Sequence, residues 1–264
     1  MATVDPTGEG GWREGDMNDK VKYKNGKGGA EQCHKKYCTV FFDLDHTLWD
    51  YESNSCATLA ELYDVHDLKR RGVNEVQAFQ DQFRLVNNEL WDLFDTGKIA
   101  SDVIRKERFK RILAHFAIVD EKLDRDLSAE YLDLCPRKAQ LMPYAIEMLD
   151  YLSDRYRLTV ITNGFDEIQH LKLAAGNITR YFDHIVTSQK AGHRKPARGI
   201  FDYALLQSNT ACHEAIMIGD NLITDIGGAR GAQIDTVFFN SEQREHEEII
   251  DFEINSLIAL KHFL

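Results

Sequence analysis

The chain has 264 residues, 43% of them hydrophobic and 28% charged, with a formal net charge of −11. That length suits one globular unit with a full core and room for an inserted second module. An acidic surface excludes general attraction to a phosphate polymer, so no nucleic acid partner is expected, although a local site for a small phosphorylated ligand stays compatible with it.

No run of about 18 or more apolar residues occurs, so no membrane association is expected, and the first residues lack the apolar core of a signal peptide. The cysteines, Cys33, Cys38, Cys56, Cys135 and Cys212, are odd in number and scattered. They imply no disulfide framework, and a reducing, cytoplasmic setting is expected. Cys33, His34 and Cys38 are not followed by a second ligand pair at zinc-site spacing.

Residues 1–36 differ from the rest. Seven of the 17 glycines lie in the first 30 residues, mixed with charge and without apolar periodicity, which predicts a disordered N-terminal extension. From Cys38 the pattern changes to a short apolar run, Cys38–Phe42, of the kind a buried parallel strand shows. Between this run and Tyr144 only helical periodicity appears. Val76, Phe79, Phe83, Val86, Leu90 and Leu93 step by three and four; so do Phe109, Ile112, Leu113 and Phe116, and then Leu123, Leu127, Tyr131 and Leu134. Consecutive amphipathic helices predict a helical bundle over 52–140. The remainder alternates apolar runs (Leu158–Thr162, His184–Thr187, Ala215–Ile218, Thr236–Phe239) with helical segments (Tyr144–Tyr156, Asp166–Ala174, Ala197–Gln207, Ile223–Ala232). The expected fold is α/β: a Rossmann-like parallel core over 37–51 and 141–264, with helices on both faces. The bundle is inserted directly after the first strand, where such sheets carry their ligand sites, so it is expected to act as a lid.

Four clusters carry the chemistry. The first strand ends in Asp43 and Asp45, two carboxylates that need a cation or a partner if buried. The second ends in Thr162-Asn163-Gly164, a turn offering a hydroxyl and backbone N–H groups to an anion. Lys195 follows the third run and supplies a compact positive charge. The fourth ends in Gly219-Asp220, with Asp225 five residues beyond Asp220. Each alone also fits an ordinary turn or helix cap. Together they place acids for a hard cation, a lysine and a hydroxyl for phosphate, and a spare carboxylate at one edge of one sheet.

This ordered set resembles the haloacid dehalogenase-like superfamily of phosphohydrolases over about Cys38 to Asn240. The helical insertion resembles that family's cap. Leu48-Trp49, Thr162 to Phe165, Gln169 with Lys172, and Tyr181-Phe182-Asp183 look like the noncanonical pyrimidine nucleotidases, which hydrolyse pyrimidine nucleoside 5′-monophosphates. His46 stands where many relatives have a third aspartate. The resemblance implies a magnesium-dependent phosphomonoesterase. Asp43 would be the nucleophile and Asp45 the general acid and base. Asp43, the Asp45 carbonyl and Asp220 would hold Mg²⁺. Thr162, Asn163 and Lys195 would hold phosphate oxygens, and Asp225 would support Lys195 or a metal-bound water. The partner expected is a small phosphomonoester. A sugar-phosphate phosphatase or phosphomutase fits the same motifs, and a non-catalytic phosphometabolite-binding regulator is the alternative of another class. Asn87, Asn88, Trp91 and Arg108 are the cap residues considered for reading the leaving group, against a plain packing role.

Overall fold

The structure, a computed structural model, describes residues 22–23, 36–248 and 250–264. Apart from Lys22, Tyr23 and Lys36, the extension expected over 1–36 lies outside them.

The sheet contains β1 (Lys22–Tyr23), β2 (Thr39–Phe42), β3 (Arg157–Thr162), β4 (His184–Thr187), β5 (Ala215–Gly219), β6 (Asp235–Phe239) and β7 (Phe252–Ile254), in the order β1-β7-β6-β5-β2-β3-β4. Six strands are parallel, and β1 joins β7 antiparallel at the edge. The five apolar runs read from the sequence are β2 to β6. Their side chains alternate between the two faces, as strand geometry requires. Val40, Phe42, Val160, Ile216 and Ile218 pack with Met148, Leu149 and Leu152 of α5 (Ala145–Ser153). Phe41, Ile161 and Met217 pack on the other side with Ile200, Phe201 and Ala204 of α8 (Arg198–Gln207). Helices thus cover both faces, and strands buried on both sides read as continuous apolar runs.

The register decides which residues can meet. Phe42 pairs with Val160 on one side and with Ile218 on the other. The next positions, Asp43, Ile161 and Gly219, therefore share one level at the carboxyl edge, with Thr162 and Asp220 one step beyond.

Between β2 and α5 lie α1 (Tyr51–Val65), α2 (Val76–Asp95), α3 (Ser101–His115) and α4 (Glu121–Leu134). Their apolar stripes meet in one core that includes Phe79, Phe83, Phe109, Ile112, Leu127 and Tyr131. Burying a phenylalanine such as Phe109, which is fully enclosed, contributes about 1.5–3 kcal/mol. The two crossings between this segment and the sheet run side by side. Met142 N–H donates to the Leu48 carbonyl (2.9 Å), Asp50 N–H to the Gln140 carbonyl (3.1 Å), and Trp49 Nε1 to the Lys138 carbonyl (3.1 Å). The Asn54 amide and the Gln140 backbone bond each other both ways, at 2.8 and 3.1 Å.

After β3 come α6 (Asp166–Ala175) and, beyond β4, the short α7 (Ser188–Ala191). The helix expected over Ile223–Ala232 is broken. Leu222–Gly227 forms a wide π turn, and only Gly228–Gly231 continues as α9. The change begins at Asn221. Its side chain accepts from Ile223 N–H (2.9 Å) and Thr224 N–H (3.0 Å), while its carbonyl accepts from both Asp225 and Ile226. An inserted π turn re-aims side chains, and here it turns Asp225 back towards the end of β5.

Candidate active site

A cavity of about 800 Å³ lies between the strand ends and the four-helix segment. All the residues singled out in the sequence line it: Asp43, Asp45, Thr162, Asn163, Lys195, Asp220 and Asp225. Asp43 is fixed as the sheet ends, its N–H donating to the Ile218 carbonyl at 2.9 Å. His46 follows with a left-handed backbone (φ 63°), a conformation uncommon outside glycine, and its N–H reaches the Trp49 carbonyl at 2.9 Å. The loop thereby curls, and Asp43 and Asp45 acquire different partners.

Lys195 is the hub of the buried end. Its ammonium, only 2% exposed as a residue, lies 2.5 Å from Asp43 Oδ1 and 2.6 Å from Asp225 Oδ1, and donates to the Ile161 carbonyl at 2.9 Å. Asp225 Oδ2 accepts from Asn221 N–H at 3.1 Å. Asp220 accepts from the Thr47 hydroxyl at 3.1 Å. Oxygen atoms of Asp43, Asp220 and Asp225 all lie within 4.8 Å of one another. Two carboxylates thus flank one lysine, and a third lies beside them. Burial holds the Asp43 carboxyl well above its usual range; Lys195 pulls it down, while Asp225 and Asp220 push it further up. Burial and the neighbouring Asp225 push Asp220 up to about 6. Burial works against the charge on Lys195, but Asp225 and Asp43 outweigh it and its proton is held more tightly than usual. Excess negative charge carried on hard oxygen donors suits a hard divalent cation.

The Thr162 hydroxyl accepts from Gly164 N–H at 3.0 Å. A Cβ on Gly164 would lie 1.9 Å from Gln169 Nε2, so a side chain there would have to displace the Gln169 amide. Asn163 ties three parts together. Its oxygen accepts from Lys195 N–H (2.8 Å), and its amide nitrogen donates to the Lys195 carbonyl (3.0 Å) and to Asp95 at the end of α2 (2.8 Å).

Several residues at the site were not assigned a role from the sequence. Lys172 of α6 is 5% exposed and grips both oxygens of Asp45, at 2.6 and 2.8 Å, with its ammonium 4.6 Å from the Trp49 ring. Asp95 reaches the phosphate-type turn from the helical segment, and burial raises its carboxyl above the usual range. Thr47 orients Asp220. The available signal for Lys172 was its place on the inward stripe of α6 beside Gln169 and Leu173. Of the leaving-group candidates, Asn87 and Arg108 are buried, and both line the cavity with Asn88 and Trp91.

The four-helix segment also meets the strand-end loops through Arg105 of α3. Its guanidinium lies 3.9 Å from the Phe165 ring and 2.5 Å from Glu167. Trp91 faces the same ring at 5.9 Å. Among the described residues no helix is long and apolar enough to cross a membrane.

Residues 40–239 match the family of haloacid dehalogenase-like hydrolases. The chain is 32% identical to the pyrimidine 5′-nucleotidase PynA of Streptococcus pneumoniae over 212 residues, covering 80% of this chain and 86% of that protein. It is 29% identical to the pyrimidine 5′-nucleotidase YjjG of Escherichia coli, covering 87% and 98%. Among solved structures it resembles the magnesium-bound HAD-hydrolase YfnB of Bacillus subtilis, with a TM-score of 0.78 and 26% identity over 86% of this chain and 98% of that one. The match spans the whole sheet from β2 to β6 and the helices between, and the chain belongs to the haloacid dehalogenase-like hydrolase family.

Proposed function

We propose that the protein is a magnesium-dependent phosphomonoesterase that acts through an aspartyl-phosphate on small phosphorylated metabolites, with pyrimidine nucleoside 5′-monophosphates as its preferred substrates. The observation that carries this reading is the placement of Asp43: a buried carboxylate lining the cavity between the strand ends and the four helices, paired with Lys195, with a second carboxylate two residues on. A binding protein for phosphometabolites needs the lysine and the turn but has no use for two separately held acids. The nucleotide part rests on the likeness to the two pyrimidine 5′-nucleotidases.

The residues divide the work as follows. Asp43 attacks phosphorus, and its oxygen forms the acyl-phosphate bond as the ester bond breaks. Asp45, which enters this step carrying a proton, gives it to the departing alcohol and is left as a carboxylate beside Lys172. Asp45 then takes a proton from water as that water attacks the acyl-phosphate, releasing phosphate and restoring Asp43. Lys195, the Thr162 hydroxyl and the Asn163 N–H hold the remaining phosphoryl oxygens where charge accumulates. Asp43, Asp220 and the Asp45 carbonyl would hold magnesium, with Asp225 engaged by Lys195. When bound, the ion offsets the repulsion between the carboxylate and the phosphate dianion. The four helices serve as the cap: they close over the leaving group, exclude water and supply discrimination that shared phosphoryl contacts cannot.

Two measurements test the reading. Asp43→Asn should remove turnover by orders of magnitude while the protein stays folded, because an amide forms no acyl-phosphate. Retention of more than a few per cent of the rate would end the covalent mechanism. For substrate, kcat/KM with magnesium should be higher for UMP, dUMP and dTMP than for AMP or hexose phosphates. A sugar phosphate ahead by about tenfold, or about 1.4 kcal/mol, would overturn the nucleotidase assignment and leave the phosphatase one.

A further inference from the structure

Arg108 on α3 stands apart from the other arginines of the helical segment. It is 4% exposed, and among the described residues no carboxylate pairs with it. Its hydrogen bond runs from Nη1 to Asn87 Oδ1 at 3.1 Å, and its Nε is buried without a partner. The guanidinium is walled instead by aromatic rings, at 4.5 Å from Tyr131, 5.2 Å from Phe83 and 5.6 Å from Phe109. Cation–π contacts fix its plane but satisfy none of its N–H donors. A buried charge without a counter-ion is costly. By contrast Arg84 and Arg111, on the surface of the same helices, both have carboxylate partners.

Asn87 on α2 sharpens the picture. It is 4% exposed and also lines the cavity. Arginine has no acceptor, so the Asn87 atom facing Arg108 is the oxygen, and the orientation of the amide follows. Its NH₂ group is left without a hydrogen bond to any described residue. The pair therefore presents donors only. It lines the same cavity as Asp43 and Asp45, and a chain of contacts joins it to the reacting end. The Arg108 guanidinium packs on Tyr131, whose hydroxyl lies 3.2 Å from that of Tyr51; the Tyr51 ring lies 4.9 Å from that of His46, the neighbour of Asp45.

We propose that Arg108 and Asn87 form the subsite that reads the leaving group, and that it takes an oxygen acceptor. The proposal rests on the phosphatase reading above and names which part of the substrate the cap recognises. The acceptor can be a neutral carbonyl on a planar base or an anionic oxygen on a second phosphate; both accept from a guanidinium and an amide NH₂. An amino-bearing edge would set donor against donor and is disfavoured, since a site built to be hydrogen-bonded rejects a group that leaves it unpaired.

The test compares kcat/KM for UMP, for glucose 1,6-bisphosphate, whose locked ring carries a second phosphate but no carbonyl, and for phenyl phosphate, which carries no acceptor beyond its phosphate. Two variants are used, Arg108→Met and Asn87→Asp. The second keeps size and shape but places a carboxylate against the guanidinium, so it should melt no lower than wild type while blocking the subsite. The expected result is a fall of about tenfold or more in the ratio of UMP, or of the bisphosphate, to phenyl phosphate in both variants. The substrate that shows the fall identifies the carbonyl or the anionic source. Ratios held within about twofold in both variants overturn the subsite, as does a parallel loss on all three esters, which marks a packing role. Calorimetric titration of Asp43→Asn with UMP and with the bisphosphate, with and without Arg108→Met, reads the subsite without turnover. Weaker binding on loss of Arg108 supports it, and equal binding overturns it, whether or not the covalent mechanism stands.

Discussion

Asp225 shows how closely the site is fitted. It is 1% exposed, held by Lys195 at 2.6 Å and by Asn221 N–H at 3.1 Å, and its carboxylate lies directly over Gly219. A Cβ on Gly219 would come within 2.3 Å of Asp225 Oδ2 and 2.6 Å of its Cβ, so the residue as a whole, not only a flexible tip, would have to shift. Gly219→Ala should therefore lower stability by about 1–3 kcal/mol. Because Lys195 moves with Asp225, it should reduce kcat/KM for every substrate by a similar factor. Urea unfolding and steady-state kinetics check this; unchanged stability would mean that Asp225 yields freely. The residues of this end were legible in the sequence because each follows an apolar run: Asp43 and Asp45, Thr162 and Asn163, Lys195, Asp220 and Asp225. Asp95 was not, and while Lys172, Asn87 and Arg108 could be named, the contacts of Lys172 with Asp45 and of Arg108 with Asn87 could not. Lys172 meets Asp45 across 127 residues, and Asn163 meets Asp95 across 68. Such contacts depend on how one helix docks on another, which periodicity does not encode.

At the level of elements, local chemistry explains both what the pattern conveyed and where it stopped. Strands β2 to β6 announce themselves as apolar runs because both faces are covered. Strand β7 has three residues and carries Glu253 in the middle, and β1 has two, too short for any period to register. The wide turn at Leu222–Gly227 reads as helix by composition, and the contacts that accompany its change of pitch, at Asn221 and at Asp225, do not show in a periodicity. Helix α1 begins where the chain leaves the sheet. Asp50 caps it, accepting from Ser53 N–H at 2.9 Å and from the Ser53 hydroxyl at 2.6 Å. Asp50→Ala should cost about 1 kcal/mol, and Asp50→Asn should recover most of it, because an amide oxygen still accepts from the helix N–H groups. Equilibrium denaturation separates the two; equal losses would show that charge, rather than capping, is what Asp50 contributes.

For the molecule as a whole, three clustered acids, two of them buried against one lysine, predict a fold that is tuned to a ligand ion rather than to its own stability. Magnesium should bind the native state and not the unfolded one, so the melting temperature should climb with magnesium concentration, by the equivalent of about 2.7 kcal/mol at a hundred times the dissociation constant. In Asp220→Asn the curve should be flatter and begin higher, since one buried like charge is gone. A thermal scan with and without magnesium decides; equal climbs in both proteins would place the ion elsewhere. The paired crossings between helices and sheet have a consequence of another kind. Leu48 with Met142 and Asp50 with Gln140 bring departure and return to one spot, bonded strand to strand. Whatever hangs between them is topologically a side branch. It can lengthen, shorten or be traded for a different set of helices without altering the order of a single strand. On the proposed reading, the phosphoryl chemistry and the choice of substrate are thus written on separable stretches of one chain, free to diverge at different rates.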